Sequence, residues 1–190
     1  MTDPAELPKA LAPNVFPPES VDLDGVHLRR PTLDDVEALH EAIKSSFTEL
    51  SMWMPWCTDP VEIEQQRGFL ESAMSSWTSQ SMFCWLIVGA GNDLIGTISL
   101  MDRIGPGGLE IGYWLRTDAT GRGVMTRAAA AVTDLGLALP GIDRVEIHCD
   151  AANLRSAAVP KRLGFRLDRE EHLEVDTPGK SGLHQFWITP

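Results

Sequence analysis

Residues 110–132 read EIGYWLRTDATGRGVMTRAAAAV. An apolar run with strand-forming residues (Ile111, Tyr113, Trp114) meets a polar turn in which Gly121 and Gly123 flank Arg122. An alanine-rich run follows with the composition of a helix, expected from roughly Gly123 to Leu139, where Pro140 and Gly141 stop it. Strand, glycine turn and helix in that order make a general anion-binding design. The first N–H groups of a helix have no intrahelical acceptor, and the helix dipole favours negative charge there. A glycine-bearing turn with no ligand has the same appearance in sequence. Two phosphate motifs are excluded residue by residue. A G-x-G-x-x-G run would need glycine at 126, where Thr126 stands, and the GKS at 179–181 lacks the preceding glycine of a P-loop because Glu174 occupies its place.

Upstream, VDLDGVHLRR (21–30) reads as a strand closed by Pro31. TLDDVEALHEAIKSSF (32–47) has helix-entry chemistry: Thr32 as N-cap, acids in the first turn, and Val36, Leu39 and Ile43 on one face. A second helical stretch, 59–77, would bury Ile63, Phe69, Leu70, Met74 and Trp77. MFCWLIVGA and DLIGTISLMDR then read as a hairpin. Downstream of the long helix come a strand (DRVEIHCD, 143–150), a helix (154–164) and two strands (165–174 and 183–190). The order is strand, two helices, three strands, helix, strand, helix, two strands, which is not the strict alternation of a doubly wound sheet.

The chain has 190 residues, 43% of them hydrophobic, and a formal net charge of -11, so one folded soluble domain is the expectation. Residues 1–20 carry five prolines and no apolar signal core, and read as a flexible arm, with the folded domain spanning 21–190. Without a long apolar run, a membrane span is not expected. Cys57, Cys84 and Cys149 are odd in number and lack metal spacing, consistent with reduced thiols in a cytoplasm. The acidic balance argues against nucleic acid as a partner. Cations nevertheless gather in two places. Arg116, Arg122 and Arg127 surround the glycine turn, and 155–166 holds four basic residues and no acid. Such clusters are either solvated helix faces or polyphosphate sites.

Taken together, EIGYWLRTDATGRGVMTRAAAAV and RVEIHCDAANLRSAAVPKRLGF (144–165) resemble the GNAT superfamily of acyl-CoA N-acyltransferases, and more narrowly its RimJ/RimL group. ELSMWMPW (49–56) is similar to the Trp-rich loop of that group. The resemblance runs from Val21 onward. It departs from the superfamily's R/Q-G-x-G-x-G/A turn at Thr120 and at Met125, although RimL-like members also carry methionine at the latter place. It implies an α/β GNAT fold, a mixed twisted sheet of about seven strands with helices on both faces. It also implies acetyl-CoA as acyl donor, no metal, and a primary amine as acceptor, in this group a protein N-terminal serine or alanine. A small amine, another short acyl group, or a non-catalytic acyl-CoA-binding module are the alternatives.

The resemblance assigns Gly121, Arg122, Gly123, Val124, Met125 and Thr126 to the pyrophosphate, and Trp114, Leu115 and Arg116 to a free strand edge that pairs with the pantetheine amides. Asn153 matches an asparagine that bonds the pantetheine, and its place before a helix would also make it an N-cap. Ser156 matches a serine that protonates the departing sulfur, and a first-turn serine satisfying the local backbone is the bland reading. Tyr113, the chain's single tyrosine, is expected in the core. Strand alternation sets Glu110 on one face with Gly112 and Trp114, where it could serve as base, bind a cationic amine, or be an exposed strand carboxylate. His148 is a rival base. A thioester has a fair leaving group, so the cysteines are read as packing residues. Trp53, Met54 and Trp56 would wall the acceptor site, or else form core or the seam of a homodimer.

Overall fold

The computed structural model describes residues 7–190. Its strands are β1 (Ser20–Leu23), β2 (Val26–Arg29), β3 (Met82–Gly89), β4 (Leu94–Met101), β5 (Gly108–Leu115), β6 (Arg144–Asp150), β7 (Arg166–His172) and β8 (Leu183–Ile188). Its helices are α1 (Val36–Lys44), α2 (Phe47–Leu50), α3 (Ile63–Thr78), α4 (Val124–Leu137) and α5 (Leu154–Arg162). All eight strands form one sheet in the order β1-β2-β3-β4-β5-β6-β8-β7. Every neighbouring pair is antiparallel except β5 and β6, which α4 joins by a crossover.

The sheet has one more strand than expected because 21–30 is not a single strand. It folds back at Asp24–Gly25 into β1 and β2, with Gly25 at φ 74, in the left-handed region open to glycine.

Two apolar layers cover the sheet. On one face Ala128, Ala129 and Val132 of α4 pack on Ile98, Leu100, Leu109, Ile111, Val145 and Ile147. Small side chains bring this helix close: a Cβ on Gly136 would lie 3.0 Å from Val145. The other face packs Val36, Leu39 and Ile43 of α1 and Leu70 of α3 on Leu86, Val88 and Trp114. At the end of α3, Trp77 meets Phe83 and Trp85 edge-on at 5.2 Å each, and Ile63, expected inside, is exposed. Among the described residues no helix is long and apolar enough to cross a membrane.

The reading of 1–20 as a flexible arm needs correction from residue 7 onward; residues 1–6 of that segment lie outside the described residues. The buried Asp102 carboxylate accepts from the N–H groups of Ala10 (2.9 Å) and Leu11 (3.2 Å), and Leu11 joins the core. The Gln80 side chain donates to the carbonyls of Ala12 and Val15 and accepts from the Asn14 N–H, while Trp85 donates to the Pro18 carbonyl at 3.1 Å. These partners lie far from the segment in sequence, so no local pattern announces them.

Candidate active site

Pairing between β5 and β6 runs from Gly108↔Arg144 to Ile111↔Ile147 and stops, although both strands continue. The strands therefore splay, and a cleft of about 1060 Å³ opens between and above them. Hydrogen-bond parity settles which backbone groups face the gap. The Arg116 N–H donates to the Ile95 carbonyl at 2.7 Å, turning even-numbered β5 residues toward β4. Val145 exchanges hydrogen bonds with Thr189 on the β8 side, which turns even-numbered β6 residues toward β5. With alternation along a strand, the N–H and C=O of Tyr113 and Leu115 point into the gap. Of the edge expected at Trp114–Arg116, only Leu115 has its backbone so directed. Arg116 is occupied on both sides, since its carbonyl accepts from the Ala119 N–H at 3.0 Å. Trp114 is instead a wall, buried against Leu70 and Leu86, with the Trp56 ring 6.3 Å away.

The glycine turn lies at the end of β5. Gly121 (φ 76) and Gly123 (φ 71) are both left-handed, and Gly123 is the N-cap of α4. No side chain caps this helix and no acid stands in its first turn, so the N–H groups of Val124, Met125 and Thr126 lack intrahelical acceptors and stay available to an anion. A depression of about 340 Å³ beside the turn is lined by Arg116, Arg122, Val124 and Arg127, among others. The three arginines are not equivalent. Arg116 is held by Asp118 (2.7 Å) and Asp93 (3.2 Å), whereas Arg122 makes no ion pair among the described residues. Arg127 bonds the Arg122 carbonyl at 3.2 Å and keeps a buried Nε without a partner. Thr120 donates its hydroxyl to the Thr117 carbonyl at 2.7 Å, so its donor is engaged within the turn. Open N–H groups, a cradle that a Cβ would narrow and an unpartnered guanidinium N–H together fit a polyphosphate.

Across the gap, the Asn153 side-chain oxygen accepts from the Ser156 N–H at 3.1 Å, so Asn153 does cap α5, and its amide N–H₂ has no partner among the described hydrogen bonds. The Ser156 hydroxyl lies 3.2 Å from the Tyr113 hydroxyl, which also bonds the Ser156 carbonyl at 3.1 Å. Tyr113 is thus a cleft residue as well as a packing one, its phenol pushed up by burial and so held protonated. Its phenol was out of reach of a sequence reading because Ser156 lies far along the chain. Cys149 also lines the cleft, and burial pushes its thiol up to about 11, against the opposing hydrogen bonds from Ser156 and Trp187. A thiol so protonated at neutral pH is a poor nucleophile. All three cysteines are free and buried.

On the sheet face that carries Trp114, a polar row crosses β5 and β6. Arg103 grips both oxygens of Glu110 (2.8 and 2.5 Å), His148 lies 3.4 Å from Glu110 and 2.7 Å from Glu146, and Arg144 holds Glu146 at 2.9 Å. Glu110 shares its face with Gly112 and Trp114 as expected, but it is buried and chelated rather than an exposed strand carboxylate. Neither Arg103 nor Glu146 carries a motif by which sequence could have placed it.

Trp53, Met54 and Trp56 line the cleft, and Met54 also packs on the α1/α3 core. The β7–β8 connection closes on them: the Gly179 N–H donates to the Met52 carbonyl at 2.9 Å, where a Cβ would come within 2.5 Å of that oxygen. Asp150, at the end of β6, holds this connection through the N–H groups of Ser181 and Gly182 and the Ser181 hydroxyl (2.8 Å). Burial pushes the Asp150 carboxyl up, but these bonds and that from the Ala152 N–H outweigh it and hold it below the usual carboxylate range. From the GKS stretch rejected as a phosphate loop, Lys180 lines the cleft, paired to Asp176 at 2.6 Å.

An eight-stranded mixed sheet thus splays beside an uncapped, glycine-led helix that is open to an anion. Residues 26–166 match the acetyltransferase (GNAT) domain family, and the chain belongs to that family. It is an acyl-CoA-dependent acetyltransferase, with acetyl-CoA as donor. Over 155 residues it is 29% identical to the "Putative ribosomal N-acetyltransferase YdaF" of Bacillus subtilis (strain 168), covering 79% of this chain and 81% of that one. Among solved structures it superposes on the microcin C7 self-immunity acetyltransferase MccE, in complex with acetyl-CoA and AMP, with a TM-score of 0.80 at 24% identity, over 95% of this chain and 98% of that one. RimL, a ribosomal L7/L12 α-N-protein acetyltransferase solved with coenzyme A, gives 0.79 at 22% identity, over 93% and 97%.

Proposed function

We propose that this enzyme acetylates the α-amine of a protein N-terminus, serine or alanine, by direct attack within a ternary complex. The observation that carries the reading is the single cleft in which an open strand edge and a hydroxyl pair meet a polar acceptor floor. Acetyl-CoA brings an acyl group activated as a thioester. The chain must hold it, admit a neutral amine, and return a proton to the departing sulfur.

The open N–H groups of Val124–Thr126, with Arg122 and Arg127, hold the pyrophosphate. Tyr113 and Leu115 pair with the pantetheine amides by strand addition, and the Asn153 amide N–H₂ serves the same arm. Ser156 Oγ donates the proton to the sulfur, and the Ser156–Tyr113 hydroxyl pair regains one from the nitrogen as the amide forms. Glu110, with both oxygens on Arg103, orients the incoming ammonium; taking a proton itself would require breaking a charge-assisted hydrogen bond. Trp53, Met54 and Trp56 wall the acceptor. Burial disfavours the thiolate of Cys149, which supports direct attack.

Similarity to YdaF and RimL supports a protein N-terminus, and the net charge of -11 favours basic ones. The test is thiol release from acetyl-CoA with matched peptides. A lysine-free peptide with a free N-terminal serine should be acetylated, and its advantage from downstream arginines should narrow as the Debye length falls from about 10 Å at 0.1 M salt to about 3 Å at 1 M. Faster reaction of a peptide with a blocked α-amine and free lysines, or of small amines, would overturn the assignment.

A further inference from the structure

Three members of the polar row on the cleft floor, His148, Glu146 and Arg144, take no part in the roles given to Glu110, Arg103, Ser156 and Tyr113, and of the three His148 alone lines the cleft. His148 lies at the mouth of the splay, on β6, directly beyond the last β5–β6 pair. Its side chain is 14% exposed, and those of Glu110 and Glu146 are 8% exposed. The ring is turned so that Nε2 meets Glu146 Oε2 at 2.7 Å, and Glu146 does not line the cleft. Nδ1 is turned toward Glu110, 3.4 Å from Oε2, and both residues line the cleft. The Phe186 ring packs 4.5 Å from the imidazole and fixes its plane from β8.

These contacts select a tautomer. Glu146 accepts a hydrogen bond at Nε2, so the neutral ring carries its proton there and offers a lone pair at Nδ1. Nδ1 and Glu110 Oε2 are then two acceptors facing each other without a proton between them. An ammonium entering the cleft supplies N–H donors to both. We propose that His148, oriented by Glu146, is the general base of the transfer, while Glu110 anchors the ammonium. This rests on the acetyl-transfer reading above. In the step, one N–H bond of the acceptor ammonium breaks and an Nδ1–H bond forms. The freed lone pair then makes the new bond to the acyl carbon as the carbonyl pair moves to oxygen. When that pair returns, the C–S bond breaks, the sulfur takes the Ser156 proton, the nitrogen's second proton passes to the Ser156–Tyr113 pair, and the imidazolium between the two carboxylates gives its proton to solvent in the open cleft. The charges facing the ring are Glu110 and Arg103 from the β5 side, Glu146 and Arg144 along its own strand, Arg169 from β7 at 3.9 Å from Glu146, and His184 from β8. Burial first, and Lys180 next, keep His184 itself below the usual histidine range, leaving it neutral at the pH of the reaction.

Ring-nitrogen NMR of the enzyme without substrate, assigned by comparison with His148→Gln, should show the Nε2–H tautomer at pH 8. Removal of a general base typically lowers rate by about 10²–10⁴-fold. His148→Gln should therefore lower kcat by at least about 10²-fold and abolish the acidic limb of the kcat/KM profile, with CoA affinity unchanged by calorimetry. Glu146→Gln should retain the limb and move it to lower pH, because the imidazolium loses a carboxylate partner. A merely structural role would not move that limb. An Nδ1–H tautomer, or a CoA-binding His148→Gln enzyme that keeps the wild-type limb, overturns the proposal. If wild-type enzyme releases no thiol with any amine, the acetyl-transfer reading fails instead. If it turns over and His148→Gln follows the same profile, this inference alone fails.

Discussion

Substitution of Gly123 separates the cost of a strained backbone from the loss of a phosphate cradle. Gly123 sits at φ 71, and a Cβ built there would come 3.2 Å from Arg127 Nη1, the mobile end of a long side chain. The steric clash is cheap to relieve, so the intrinsic penalty is that of an L-residue held in the left-handed region, about 1–2 kcal/mol, and more for a β-branched one. For a domain of this size that lowers Tm by about 2–4 °C per kcal/mol. Gly164 provides the control: it has φ 78, a Cβ there would meet nothing within 4 Å, and it lies beyond the far end of α5. Gly123→Val and Gly164→Val should lose comparable Tm. Only the former places carbon atoms at the open N–H groups of α4 and displaces Arg127, so only it should weaken CoA. Titration calorimetry should read at least a tenfold loss, which corresponds to about 1.4 kcal/mol. Far-UV circular dichroism confirms that both variants are folded. If folded Gly123→Val binds CoA within about threefold of wild type, or if Gly164→Val loses as much affinity, the turn does not hold the phosphates, because threefold is well under the tenfold step of about 1.4 kcal/mol.

The same geometry sets the outcome of four further substitutions. Ser156→Ala should lower kcat by about 10²–10⁴-fold in steady-state thiol release while CoA affinity stays within a factor of about two, and Tyr113→Phe should be milder because water can reprotonate the serine. Glu110→Gln should raise KM for the peptide with kcat nearly intact; a large fall in kcat at unchanged KM would make it the base and displace His148. Asp150→Asn should loosen the β7–β8 connection and cost about 1–3 kcal/mol, read by chemical denaturation and by proteolysis near Gly179. Since the folded Asp150 carboxyl is lowered, its contribution is fully present above its unfolded value and is lost as pH falls through the folded one, so wild type and variant should converge in acid.

Much of this molecule is legible in one dimension because its determinants are local. Apolar runs bounded by turn residues mark β3, β4 and β5, the alanines mark α4, and left-handed glycines can be read directly from a turn that other residues adopt only at a cost. Resemblance over 110–132 and 144–165 named the family and singled out Ser156 and Asn153, which the structure brings into the cleft. What the tertiary structure alone decided depends on groups far apart in sequence. The β5–β6 ladder ends at Ile111, and only its parity, set by Ile95 on one side and Thr189 on the other, shows that Tyr113 and Leu115 rather than Arg116 face the gap. Asp102 and Gln80 anchor a proline-rich segment that composition alone marks as loose. Arg103 turns Glu110 from a candidate base into a chelated carboxylate, and Glu146 meets His148 Nε2 at 2.7 Å. A side chain's chemistry is set by the charges and donors within a few ångströms of it. In a sheet whose neighbouring strands come from distant parts of the chain, those neighbours exist only after folding.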